Sequence, residues 1–176
     1  DKLDNDKVGL IVFAGEAYTQ LPITTDFLSA RMYLDEISTD MVPTQGTAIG
    51  TAINMSINSF STDEDINKAI IVITDGENHE GDAMEMAQYA KSLGIEVDVI
   101  GVGSLKGAPI PIDSRRGEFL HDASGAPVTT YLNEAMAKEI AKAGNGTYIN
   151  GSSSKAVDQL IGQLDKIKKS DLKHVS

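Results

Sequence analysis

The stretch IVITDGENHEG, Ile71 to Gly81, decides the fold. Its first residues are apolar and β-branched without a polar alternation, as in a strand buried on both faces of a sheet. The run then breaks on Asp75 and Gly76, and GENHEGD leads into Ala83, Met86, Ala87, Ala90 and Leu93 at helical spacing. A buried strand, a glycine turn and an amphipathic helix make the unit from which parallel sheets are built. Gly94 is placed to cap that helix, and IEVDVIGVG (Ile95 to Gly103) is the next strand.

The rhythm extends in both directions. Upstream, VGLIVFAG (Val8 to Gly15) is another near-continuous apolar run, and AYTQLPIT follows as a shorter extended piece whose Pro22 suits a sheet edge. Thr25 or Asp26 can cap a helix with Phe27, Ala30, Leu34 and Ile37 on one face. VPTQGTAIG is a Pro/Gly-punctuated loop opening a second helix, with Ile49, Ala52, Ile53, Ile57 and Phe60 on its apolar face. Downstream, residues 104–130 break the pattern. PIPID, GEFLHD and APVTTY read as short strands of a hairpin insertion at the sheet edge. A helix carrying Leu132, Ala135, Met136, Ile140 and Ala143 follows, stopped by GNG. GTYIN is a last strand, and Val157, Leu160, Ile161, Leu164 and Ile167 mark a terminal helix. The expected fold is one α/β domain over residues 1–176, a doubly wound, mostly parallel sheet flanked by helices.

Bulk properties bound the function. A chain of 176 residues with 41% hydrophobic and 23% charged residues can bury a sizeable core. The formal net charge of -11 argues against nucleic acid or an acidic membrane surface as partner. With no cysteine there is no disulfide or thiolate site, and the three histidines show no zinc spacing. No apolar run approaches a membrane span, and no stretch of these residues is expected to act as a signal peptide. The first residue is Asp rather than Met, as expected of a piece excised from a longer protein.

Open α/β sheets bind ligands at the carboxyl ends of their strands. Asp75 stands at such an end. It can hold a hard cation such as Mg²⁺, or simply cap the turn into the next helix. Thr47, at the start of the second helix, can likewise point at a ligand or cap the helix. An enzyme of similar architecture would need more: an acidic pair and a strand-end lysine for a receiver, a nucleophilic D-x-D for a phosphatase, or a Gly-rich phosphate loop for a nucleotide binder. GVGSLKG (Gly101 to Gly107) matches neither phosphate-loop pattern and reads as a strand ending eased by glycine.

VGLIVFAGEAYTQLPIT, GTAIGTAI, IIVITDGENHEG and IEVDVIGVG, in this order, resemble the von Willebrand factor A (VWA) domain over essentially the whole chain. APIPID, GEFLHDASGAPVTTYLNE and AKAGNGTYIN resemble the hairpin, helix and strand of the bacterial aerotolerance (Bat-type) members. The resemblance implies a non-enzymatic protein-recognition module with a metal-ion-dependent adhesion site. There Mg²⁺ or Mn²⁺ is held by D-x-S-x-S, a threonine and an aspartate, and takes a carboxylate from a protein partner. It assigns the threonine to Thr47 and the aspartate to Asp75, and implies a soluble domain of a protein anchored in the bacterial membrane. In the family D-x-S-x-S lies on a central first strand, before the run that VGLIVF matches. DKLDNDK resembles the end of the following helix, so that strand and most of the helix are absent here. DASGA (Asp122 to Ala126) is D-x-S-x-A and reads as a hairpin turn; Ser152 to Ser154 read as a helix-start cap. The expectations are weak or absent metal binding, and open sheet edges that rearrange to close the gap or pair with another chain. A metal-independent structural interaction domain is the alternative, and a Mg²⁺-dependent doubly wound enzyme a further one.

Overall fold

The fold is described from a computed structural model, over residues 6–37, 48–61, 66–77, 82–109, 111–113 and 117–171. The element order is β1 (Val8–Phe13), β2 (Ala17–Thr24), α1 (Phe27–Glu36), α2 (Ile49–Ser59), β3 (Lys68–Thr74), α3 (Ala83–Ser92) and β4 (Ile95–Gly101). The insertion follows with β5 (Ala108–Pro109), β6 (Pro111–Asp113), β7 (Glu118–Phe119) and β8 (Thr129–Thr130), then α4 (Glu134–Ala143), β9 (Asn145–Asn150) and α5 (Ala156–Asp171).

Strands β3, β4 and β9 form a parallel sheet with β4 in the middle. β3 pairs with β4 in unbroken register from Lys68 opposite Ile95 to Thr74 opposite Gly101. Because β4 has neighbours on both sides and is covered on both faces, Val97, Asp98 and Val99 are all buried. The core lies between this sheet and the inner faces of α2, α3 and α4, where Ile53, Val72, Ala87, Val97 and Ile140 meet. Alanines line α3 and α4 (Ala83, Ala87, Ala90, Ala137, Ala141), so the helices approach the β-branched strands closely.

Strands β1 and β2 form a separate antiparallel pair. Among the described residues β1 pairs only with β2 and β3 only with β4, so no strand rearrangement closes the gap anticipated between them. Among the described residues the insertion does not extend the parallel sheet either. It forms its own two small antiparallel pairs, β5 with β8 and β6 with β7. DASGA is a hairpin turn as expected: Asp122 Oδ1 accepts from Ser124 N at 2.8 Å and Ala126 N at 3.0 Å, and Gly125 has φ +82°.

Helix faces differ in places from the expected stripes. In α1, capped by Asp26 accepting from Ser29 N, only Ala30 is buried, while Leu34 is 57% exposed. That helix covers only the β1–β2 pair, too narrow a surface to bury its whole stripe. Leu93 and Val157 are exposed for a different reason, lying at or near the ends of α3 and α5. On α4 the buried positions are Ala137, Ile140 and Ala141; Ala135 is exposed, and buried Leu132 precedes the helix.

β4 carries one acid in its buried centre. Opposite Asp98 the β4–β9 register slips: Val97 faces Asn145, but Val99 faces Tyr148, so β9 has one residue too many. Asp98 Oδ1 accepts the Thr147 amide at 2.8 Å, while Oδ2 is buried with no partner. Burial pushes the Asp98 carboxyl up to about 7, against the opposing pull of the Thr147 amide and with Glu96 adding to the rise. A proton held this way stabilises the fold fully below the ordinary carboxylate range, and that contribution is lost as pH rises through about 7. Two outcomes are expected. In urea unfolding, wild-type stability falls between pH 5 and 8, whereas Asp98→Asn, which mimics the protonated form, loses most of that slope. Gly146→Ala places a β-carbon 1.9 Å from the Val97 carbonyl oxygen and destabilises by roughly 2 kcal/mol or more, read from the same denaturation midpoint.

Candidate functional site

The site is assembled where β3 stops. The ladder's last support is Val102 N donating to Thr74 O at 2.9 Å, after which the chain leaves the sheet. Two side chains then turn it. Thr74 Oγ1 accepts from Gly76 N at 3.1 Å, and Asp75 Oδ1 accepts from Glu77 N at 3.0 Å. These are the side-chain turns that Thr and Asp favour, and Gly76 completes them with φ +79°. A β-carbon at Gly76 would lie 2.2 Å from the Asn133 carbonyl oxygen, so only glycine fits.

Asp75 is fixed from a second direction. Its carbonyl accepts from Asn133 N at 2.7 Å, joining the end of β3 to the start of α4, where Asn133 also caps the helix through Met136 N. Leu132 N donates to Ser104 O at 3.0 Å, tying the same loop to the exit from β4. Asp75 is thus half-buried and held by its backbone. Its Oδ1 is engaged by the Glu77 amide, and among the described residues Oδ2 has only the Thr130 hydroxyl at 3.4 Å, a long contact. Asp75 thus caps the turn that leads toward the next helix, whose own N-cap position is Asp82.

Chain direction puts the start of α2 at this end of the sheet too, since α2 leads down to the beginning of β3. Thr47, the other expected ligand, lies outside the described residues. The adjoining Ala48 is buried and gives α2 no side-chain cap. Against the first turn of α2 stands an acid that the sequence pattern did not single out, Asp82. Its carboxylate sits against Gly50 in the first turn of α2, so closely that a β-carbon there would be 2.2 Å from Oδ1. That Oδ1 is buried and unpartnered. A negative charge against a helix N-terminus is favourable. The only sequence signal was an acid just ahead of α3.

The donors fit a hard divalent cation in kind: carboxylate and hydroxyl oxygens, with Asp75 Oδ2 and Asp82 Oδ1 sparsely engaged. In number they fall short, since among the described residues no group of three His, Cys, Asp or Glu could hold a metal. Among the described residues no helix is long and apolar enough to cross a membrane.

Comparison with known proteins agrees with this architecture. Two solved structures share 50% identity with the chain. An aerotolerance-related membrane protein from Bacteroides fragilis, with multiple mutations to serines, matches at TM-score 0.86 over 96% of this chain and 82% of its own. The conserved hypothetical protein BatB from Bacteroides thetaiotaomicron matches at TM-score 0.89 over 95% and 82%. Proximal thread matrix protein 1 of the mussel byssus, with a zinc-occupied MIDAS motif, shares the fold at TM-score 0.60 and 17% identity, over 93% of this chain and 34% of its own. The chain spans 34% and 22% of the length of two curated relatives that it matches. The profile of the von Willebrand factor type A domain matches residues 2–163, and the chain belongs to that family.

Proposed function

We propose that this domain recognises a protein partner through a divalent cation, Mg²⁺ or Mn²⁺, at the carboxyl end of β3. The carrying observation is Asp75: its main chain is locked by Asn133, while among the described residues Oδ2 keeps only a long contact to Thr130. A side chain so placed is already ordered before a ligand arrives, which lowers the cost of binding. A bound cation supplies an electrophilic position for a carboxylate on the partner. Asp75 orients it, through water, and Thr47 joins as a hydroxyl ligand. Asp82 adds negative charge beside the start of α2. The zinc-occupied MIDAS motif of the mussel protein supports a divalent ion for this fold, at a fold-level likeness only.

The setting we propose is the soluble domain of a membrane-anchored bacterial protein acting in an aerotolerance-related complex. It rests on the two relatives at 50% identity, one of them named as an aerotolerance-related membrane protein. The domain acts by binding rather than catalysis. A metal-independent interaction domain is the second reading, favoured by the shortage of described donors.

Calorimetric titration with Mn²⁺ and Mg²⁺ separates the two. The expected result is weak binding that Asp75→Ala abolishes and Thr47→Ala weakens, with both metal-free variants still unfolding cooperatively, Asp75→Ala slightly earlier for loss of its bond to the Glu77 amide. Binding that survives Asp75→Ala places the cation elsewhere. Partner capture that is indifferent to chelator and to both substitutions decides for the metal-independent reading.

A further inference from the structure

Charge is divided unevenly between the two ends of the parallel sheet. Asp75, Glu77 and Asp82 stand at the carboxyl end. At the amino end, where β3, β4 and β9 begin, lies a recess of about 300 Å³. Three lysines from three elements line it: Lys68 opens β3, Lys91 lies in the last turn of α3, and Lys166 comes from α5. Asn67 Nδ2 donates to Ile167 O at 2.8 Å, which ties α5 over the recess. Asn145 forms another wall. Its φ of +58°, a left-handed conformation that Asn tolerates better than most residues, turns the chain from α4 into β9.

The chain has 26 acidic residues and 15 basic ones, so a lysine has carboxylates in excess to pair with. Yet among the described residues none of these three lysines makes an ion pair. The recess has one carboxylate in its lining, Glu96, and that is engaged by α5, where Gln163 Nε2 donates to Oε1 at 2.7 Å. Lys91 also meets the negative C-terminal end of α3. Lys68 in a strand and Lys166 inside a helix have no such end to serve. Three ammonium groups around one space repel one another, and an anion between them removes that cost. Set against Glu96, the three lysines leave two positive charges in excess, close to the opposite of a phosphate monoester near neutral pH.

We propose that this recess is an anion site for a phosphate group, carried by a small phosphate monoester or by a lipid headgroup. Lysine suits the task, since its ammonium binds phosphate as a point charge without a fixed approach. The volume lies at the lower end of the range for small-ligand sites, room for a phosphate and a short substituent. The acidity of the whole chain does not oppose this. It weakens attraction to a charged surface at long range, whereas a bound anion feels the charges within a Debye length. The site is independent of the proposed cation site, which lies at the other end of the same strands.

The test is titration of the chain with inorganic phosphate at constant ionic strength, chloride making up the balance, followed by amide NMR shifts. Saturable shifts are expected at Gly94, Ile95 and Asn145. Lys68→Ala and Lys166→Ala each weaken the binding about threefold or more, and the double variant loses it. Lys155→Ala removes the same charge at the start of α5 and leaves the binding unchanged. Lys166 is exposed, so its replacement keeps the fold and carries the test if Lys68→Ala unfolds. Cosedimentation with vesicles of phosphatidic acid in phosphatidylcholine, against phosphatidylcholine alone, identifies the source. Vesicle binding that the same lysines control assigns a lipid headgroup; phosphate binding without it assigns a small monoester. The proposal is overturned by the absence of saturable shifts, by shifts that chloride alone reproduces, or by binding indifferent to Lys166→Ala.

Discussion

The unbroken parallel ladder between β3 and β4 is the constraint on which the rest depends. It runs from Lys68 opposite Ile95 to Thr74 opposite Gly101. Because every pairing is in step, the point where β3 runs out is defined to the residue, and the next side chain belongs to Asp75. A parallel ladder also obliges its connection to cross over as a helix, which places α3 against the sheet and Asp82 at its start. The site is thus a by-product of register: slip β3 by one position and the acid would enter the sheet while a buried threonine left it.

Stability and recognition are distributed differently over the molecule. The core between the parallel sheet, α2, α3 and α4 is made of small and β-branched side chains at zero or near-zero exposure. The β1–β2 pair and α1 sit at its margin, where large apolar side chains remain open: Leu28 is 73% and Met32 60% exposed. The insertion between β4 and α4 stands apart as small hairpins, yet it supplies Thr130 to the strand-end acid. Its closing residues therefore reach the candidate site, while among the described residues its tip is held by local bonds such as those of the Asp122 turn.

Much of this was legible in the sequence, for reasons that are local. Asp75 announced itself because a β-branched run ended on an acid followed by glycine. The core stripe of α2 followed from spacing, and Ile49, Ala52, Ile53 and Ile57 are all buried. What periodicity does not carry is the width of the surface a helix will find. The stripe of α1 was read correctly as helical, but most of it stays open because the sheet beneath has two strands. Non-local partners were also beyond reach. Nothing near Asp75 indicates Asn133 or Thr130, and nothing near Gly50 indicates Asp82. Asp98 did leave a trace, an acid embedded in IEVDVIG, whose meaning required the irregularity in β9.

That irregularity has a consequence for how the family can vary. The surplus residue of β9 frees the Thr147 amide, and Asp98 is the group that receives it. Deleting the surplus would restore a regular ladder but strand a buried carboxylate; replacing the acid by an apolar residue would strand the amide instead. Each single change costs more than the pair made together. Strand length after α4 and residue identity at the centre of β4 are therefore energetically coupled, and a change in either is best tolerated when the other changes with it.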